Sequence, residues 1–234
     1  MRTKFLPFEI LHEDRDLIVI DKPAGMLSTH THLAGRMARE LQATAENFLN
    51  DYVRKGQAKS RRRVWLVHRL DRDTSGVMMF AKDERIAAAF RERWRELAEK
   101  TYIARVEGEI AEERGVFESY LLEDTDGYRV RSVKEDGSSK GSGKTSDARP
   151  PKYARTEWKR LSTERGTTLV EVKLKTGRKN QIRVHFAEAG HPVVGDVKYG
   201  GHKARRMFLH SLRLEYRHPL TGKQFAFESR ETMI

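Results

Sequence analysis

Two carboxylates, Asp71 and Asp73, alternate with the cations Arg69 and Arg72, with His68 ahead of them and Thr74, Ser75 and Gly76 behind. A carboxylate kept ionised by a neighbouring guanidinium can serve as a nucleophile or as a general base. One apolar run, Val64-Trp65-Leu66-Val67, leads into this stretch, and another, Val77-Met78-Met79-Phe80, leads out. Each run is continuous, bounded and rich in β-formers, and each reads as a short buried strand. Solvation ordinarily expels such a polar cluster, so core segments on both sides mean that the fold presents it from a rigid base. The residues alone leave other readings open. The stretch could be a surface turn with local ion pairs, or Asp71-Arg72-Asp73 could hold magnesium for phosphoryl or glycosyl transfer. No Gly-rich phosphate loop precedes it to favour the latter. His30, His32 and His68 would suit zinc only with a cysteine or a spaced acidic ligand, and no metal is expected.

The elements that must position this cluster follow from pattern. Leu17-Ile18-Val19-Ile20 reads as a strand, Asp21-Lys22-Pro23-Ala24-Gly25 as a turn, and Met26-Leu27-Ser28-Thr29 as a second short strand. From about Arg36 to Lys55 apolar residues recur at helical spacing, and Gly56 ends the run. Lys59 to Arg63 is a basic connector. Asp83 can cap a helix that buries Ile86, Phe90 and Leu97, with Trp94 at its rim. Lys100 to Val106 alternates like a strand wet on one side. A hairpin is expected from Gly115 to about Val133, then a mobile surface loop from Lys134 to Arg149, dense in Gly, Ser and Lys. Lys152–Leu161 and Thr167–Lys175 read as an antiparallel pair turned at Glu164-Arg165-Gly166. A turn and a helix follow from Thr176, with Ile182, Phe186 and Ala189 on its apolar face and Gly190 at its end. The segment 191–196 is a loop, and the tail adds strands around the His218–Gly222 turn. Strands outnumber helices without a βαβ rhythm. The expected class is α+β with a mixed, mostly antiparallel central sheet and flanking helices. One domain is expected, residues 1–234, with its core from about 8 to 230.

Composition narrows the partner. Among 234 residues, 46 Lys and Arg face 34 Asp and Glu, a formal charge of +12. That excess favours a polyanion, nucleic acid before an anionic membrane surface, and Arg61, Arg62 and Arg63 are natural phosphate contacts. No apolar run approaches the ~20 residues that span a bilayer, and Met1 to Pro7 lacks the apolar segment of a secretory signal. The absence of cysteine removes disulfides and thiolate chemistry. A soluble, basic, cytoplasmic protein is expected.

The stretch His68 to Gly76 resembles, position by position, the signature of the RluA-type RNA pseudouridine synthases. Companion segments keep that family's order from residue 17 to residue 222. They are Asp21-Lys22-Pro23-Ala24-Gly25, Lys100-Thr101-Tyr102, Thr176-Gly177-Arg178 through Gln181-Ile182-Arg183-Val184-His185, and Gly190-His191-Pro192 with Gly195-Asp196. Asn180 departs from the pattern, standing where a histidine is common. The resemblance implies the pseudouridine synthase fold and a cofactor-independent isomerase acting on ribosomal or transfer RNA. Asp71 would be its catalytic residue, Tyr102 would stack on the extracted uracil, and Arg183 would lie within hydrogen-bonding reach of Asp71 and hold it charged. Arg69 would fill the gap left by the base. His68, Lys22, Arg72, Thr74 and Arg178 would join Arg61–Arg63 on the RNA side, with Lys22 mainly a turn residue supporting the site. A monomer is expected. The alternative is a non-catalytic RNA-binding ribosome-assembly factor on the same fold, against which the intact aspartate, tyrosine and arginine set argues.

Overall fold

The computed structural model describes residues 6–30, 42–57, 59–124, 129–135 and 150–230. The backbone falls into two compact units, Met1–Lys100 with His210–Ile234, and Thr101–Leu209. The architecture is α+β, with strands mostly antiparallel and one parallel pairing described.

The first unit is organised around the strand that leaves the charged stretch. Its elements are β1 (Glu9–Glu13), β2 (Leu17–Lys22), α1 (Ala45–Arg54), β3 (Trp65–Leu66), β4 (Ser75–Ala81), α2 (Glu84–Leu97), β10 (Leu209–Arg217) and β11 (Gln224–Glu228). All seven residues of β4 are buried. One edge of β4 pairs antiparallel with β2, from Leu17 opposite Ala81 to Lys22 opposite Gly76. Its other edge is shared. Ser75 and Gly76 run parallel to His210 and Ser211 of β10, while Phe80 and Ala81 pair with Leu66 and Trp65 of β3. A strand covered on every side needs no polar alternation, which is why Val77–Phe80 is continuously apolar. β1 pairs with β2 and β11 with β10, both antiparallel.

α2 closes one face of this sheet. The Asp83 side chain accepts the Arg85 N–H at 2.8 Å and starts the helix. Ile86, Ala87, Phe90 and Leu97 then meet Leu17, Val19, Val77, Met79 and Ala81 in one apolar cluster. α1 is shorter than the periodicity suggests. Thr44, in extended conformation, accepts the Asn47 N–H at 3.1 Å and fixes the helix start at Ala45. Residues 36–41 of the expected helix lie outside the described residues. Met26–Thr29 is no strand either, contributing only a bridge from Leu27 to Thr44. The run into the charged stretch pairs over Trp65–Leu66 alone, with Val64 and Val67 buried beside it.

Gly76 marks where β4 and β10 approach most closely. Its φ is +111°, and a Cβ there would lie 2.2 Å from the Ser211 carbonyl oxygen. Backbone cannot yield as a flexible side chain can. Gly76→Ala should therefore cost at least ~2–3 kcal/mol, read as a lowered midpoint in urea unfolding. An unchanged midpoint would contradict the approach.

The second unit holds β5 (Ala98–Glu107), β6 (Arg114–Glu123), β7 (Val130–Val133), β8 (Lys152–Glu164), β9 (Thr167–Leu174) and α3 (Gln181–Glu188). Strand order is β5-β9-β8-β6-β7, antiparallel throughout. The β6–β7 hairpin falls where the sequence suggests. The β8–β9 turn is the two-residue Arg165-Gly166, with φ of 51° and 70°, as a type I′ hairpin requires. β5 differs from expectation, because Thr101 to Ala104 are buried on both faces instead of alternating. α3 lies on β8 and β7, and Phe186 meets Phe117 edge-on at 5.1 Å. Ala189, expected on the apolar face of that helix, is exposed at its C-terminal cap. Most of the proposed Lys134–Arg149 loop, residues 136–149, lies outside the described residues. No described helix is long and apolar enough to cross a membrane.

Candidate active site

In the first unit, residues 67–74 connect β3 to β4 and carry the charged cluster. Val67 and Leu70 point into the core, each 6% exposed. The buried Ser28 hydroxyl holds Leu70 twice, donating to its carbonyl at 2.7 Å and accepting its N–H at 3.1 Å. The Thr74 N–H donates to the Asp71 carbonyl at 3.2 Å and closes a tight turn. Arg69, Arg72 and Asp73 stand exposed on it, while Asp71 is partly buried. Arg72 reaches back to the Gly25 carbonyl at 3.1 Å.

Lys22 anchors this turn from beneath. It ends β2 opposite Gly76 and is fully buried, with Nζ donating to the carbonyls of Pro23 at 2.9 Å, Met26 at 2.8 Å and Arg72 at 3.2 Å. All three protons are thus used. Burial pushes the ammonium down to about 8, while the negative charges of Asp73 and Asp71 pull it back up. At neutral pH it remains mostly a cation beneath two carboxylates. A side chain so enclosed serves the loop from inside, as expected of a turn residue supporting the site, and its ammonium faces backbone carbonyls where the RNA side was also expected.

His68 and Thr74 also turn inward. The Met79 N–H donates to His68 Nε2 at 3.1 Å, and the ring lies on Trp94 with centroids 4.6 Å apart. Burial, assisted by the Lys100 charge, holds this imidazole well below its usual range and therefore neutral. Thr74 is 3% exposed. Both are structural here, whereas the sequence placed them against RNA. Arg61, Arg62 and Arg63 are exposed as expected. Their connector is fixed by Arg54, which donates to the Arg62 carbonyl at 3.3 Å, and by the Val64 N–H on Asn50 at 2.8 Å. Arg63 lies over the Trp65 ring at 5.3 Å.

In the second unit, Tyr102 sits on β5 opposite Val172 and is 4% exposed. Arg183 projects from α3, buried, with Nε donating to Asp196 Oδ2 at 2.6 Å and Nη2 to Asp196 Oδ1 at 2.7 Å. α3 is pinned to β8 by polar side chains. Gln181 donates to the Arg155 carbonyl and to Thr156 Oγ1 at 3.0 and 2.9 Å, and accepts from Thr176 Oγ1 and the Arg178 N–H. His185 bonds Thr156 Oγ1 at 2.8 Å and Ser119 Oγ at 3.0 Å, and burial lowers its imidazole to about 4, so it stays neutral. Arg178 extends to the Tyr153 carbonyl at 2.9 Å. Asn180 takes the left-handed conformation, φ 53°, at the start of the helix.

The structure thus gathers Lys22, Asp71, Arg72 and Thr74 at one turn, and Arg183 with Asn180 and Asp196 at another. Ser28 and Asp196 escaped the sequence-based site list because their partners, Leu70 and Arg183, are distant in sequence. For Asp196 a faint signal existed, a lone acid in a Gly-flanked loop just after an arginine-bearing helix.

Comparison with known proteins gives this arrangement a setting. A family model described as RNA pseudouridylate synthase matches residues 16–188. The chain is 32% identical to the uncharacterized RNA pseudouridine synthase YlyB of Bacillus subtilis over 235 residues, covering 96% of this chain and 69% of that one. It is 31% identical to the dual-specificity RNA pseudouridine synthase RluA of Vibrio parahaemolyticus, covering 90% and 78%. It is 32% identical to tRNA pseudouridine synthase C of Vibrio cholerae, covering 91% and 86%. Among solved structures, human RNA pseudouridylate synthase domain containing 4 shares the fold, with a TM-score of 0.72, 24% identity and coverage of 94% and 87%.

Proposed function

This chain belongs to the RNA pseudouridylate synthase family, and from that premise we propose that it isomerises specific uridines of structured ribosomal or transfer RNA to pseudouridine through Asp71. The reaction breaks the glycosidic bond from C1′ to N1, turns the uracil, and joins C1′ to C5. The C5 proton leaves and N1 gains one, so atoms balance without a redox partner. A carboxylate suits such chemistry as a nucleophile towards sugar or base, or as a base towards a sugar proton. The observation that carries the assignment is the turn itself. Lys22 and Ser28 hold its backbone through buried bonds while the Asp71 side chain stands on its partly open side.

The remaining roles follow the family motif. Tyr102 stacks on the extracted uracil and its hydroxyl assists loss of the C5 proton. Stacking is worth ~1–3 kcal/mol per base, comparable to the cost of extraction. Arg183 keeps Asp71 ionised, and Arg69 fills the gap left in the RNA. The chain acts as one catalytic domain and as a monomer, in the cytoplasm, where its RNA substrates are handled. Mapping pseudouridines in total RNA from cells with and without the protein tests the proposal. Sites lost with the protein, restored by the wild type but not by Asp71→Asn, are expected; an unchanged map would refute it.

Phosphate contact should make binding steeply salt-dependent. The +12 charge and the exposed Arg61-Arg62-Arg63 connector imply several contacts, each adding ~0.7–0.9 to the slope of log K against log salt. Replacing the three arginines with glutamine should reduce that slope by about two units, measured by fluorescence anisotropy. A wild-type slope shallower than about two would mean that charge is not the main anchor.

A further inference from the structure

Ser28 belongs to the first unit, lies outside its strands and is 4% exposed. Its role follows from the peptide planes on either side of Asp71. Each peptide unit is rigid, so holding the plane before a residue and the plane after it fixes the direction in which its side chain leaves the backbone. The Leu70 carbonyl shares its plane with the Asp71 N–H, and Ser28 Oγ donates to that carbonyl at 2.7 Å. The same oxygen accepts the Leu70 N–H at 3.1 Å, so the preceding plane is held as well. On the far side, the Asp71 carbonyl accepts the Thr74 N–H at 3.2 Å, and the Arg72 carbonyl accepts from Lys22 Nζ at 3.2 Å. The planes from residues 69–70 to 72–73 are thus held in succession. Leu70 and Asp71 belong to no strand, so no sheet ladder supplies this hold.

The hydroxyl keeps its place because its own backbone is tied to a helix. The first N–H groups of a helix have no partner within it. In α1 the Ala45 N–H goes to the Leu27 carbonyl at 2.9 Å and the Glu46 N–H to the Ser28 carbonyl at 3.2 Å. The neighbouring Thr29 hydroxyl donates to the Glu46 carboxylate. Ala45 and Leu49, both fully buried, root that helix in the core. One residue therefore caps a rooted helix with its carbonyl and clamps the backbone beside Asp71 with its hydroxyl. Resting on the reading that Asp71 carries the chemistry, we infer that Ser28 is a positioning residue, which aims the carboxylate through the Leu70–Asp71 peptide. Two neutral hydrogen bonds add only modestly to stability, because the unfolded chain makes equivalent bonds to water. Their geometric consequence is larger. Rotation of a peptide plane swings the side chain beside it, and a reacting group displaced by roughly 1 Å can lose about a hundredfold in rate.

Ser28→Ala removes both bonds and little volume. Its single-turnover rate at saturating substrate RNA should fall about ten- to a hundredfold, while RNA affinity stays within about threefold. The comparison is made at a temperature where circular dichroism shows both proteins fully folded. A role confined to stability would lower the melting temperature and leave the saturating rate unchanged. The wild-type protein supplies a second readout that does not depend on how the variant folds. The Leu70 N–H, although outside every strand, should exchange slowly with deuterium when followed by NMR. A wild-type saturating rate in folded Ser28→Ala, or fast exchange of the Leu70 amide in the wild-type protein, would overturn the inference. If Asp71→Asn, assayed in parallel, were active, the reading beneath it would fall instead.

Discussion

Asp71→Asn should bring pseudouridine formation below about a hundredth of the wild-type rate while RNA affinity stays within a few-fold. The substitution keeps size and shape and removes the charge. An amide is neither a usable nucleophile towards C1′ nor a base towards a sugar proton, so the chemical step is lost outright. The fold should tolerate the change, because the bonds that shape this turn use other groups. Ser28 holds the Leu70 backbone, Lys22 holds the Arg72 carbonyl, and the Thr74 N–H rests on the Asp71 carbonyl. One electrostatic consequence needs control. The negative charge of Asp71 helps keep Lys22 protonated, so its loss moves Lys22 further below about 8. Comparing the two proteins on the acid side of neutrality favours the charged lysine in both. Activity above about a hundredth of wild type would remove Asp71 from the mechanism.

How much of this was legible beforehand depends on the range of the forces involved. Local signals were read correctly. The unbroken apolar run Val77–Phe80 became the most covered strand, Asp83 became a helix cap, and Arg165-Gly166 became a hairpin turn. Errors arose where a distant partner decided the outcome. Helical periodicity ran through Gln42 and Ala43, but the Thr44 side chain starts the described helix at Ala45. Alternation in β5 predicted one wet face, whereas Thr101 and Ile103 are covered as well. Lys22 was expected mainly to support the turn and does so, but it and His68 were also placed on the RNA side, whereas each satisfies backbone groups inside the unit. Whether a lysine faces phosphate or caps three carbonyls is set by chain segments up to fifty residues away. Spacing carries no record of that choice. The pairing of Arg183 with Asp196 was hidden for the same reason.

Arg183 should rank next to Asp71 in effect, with activity falling in the order wild type, Arg183→Lys, Arg183→Ala. An enclosed carboxylate without a cation raises its pKa and tends to neutralise, and a neutral acid is a poor nucleophile or base. Lysine restores a charge but not a planar fork, so it should rescue only in part. The alanine variant has a second problem, visible in the structure. It leaves the Asp196 carboxylate, 2% exposed, without the guanidinium that binds both its oxygens. Stranding a buried charge costs ~3–5 kcal/mol, so lost activity could reflect lost fold. The double variant Arg183→Ala with Asp196→Asn separates the two, since it removes both charges. Its unfolding midpoint should recover much of the deficit of Arg183→Ala while its activity stays low. Full activity in the double variant would show that Arg183 serves the fold and not the reaction.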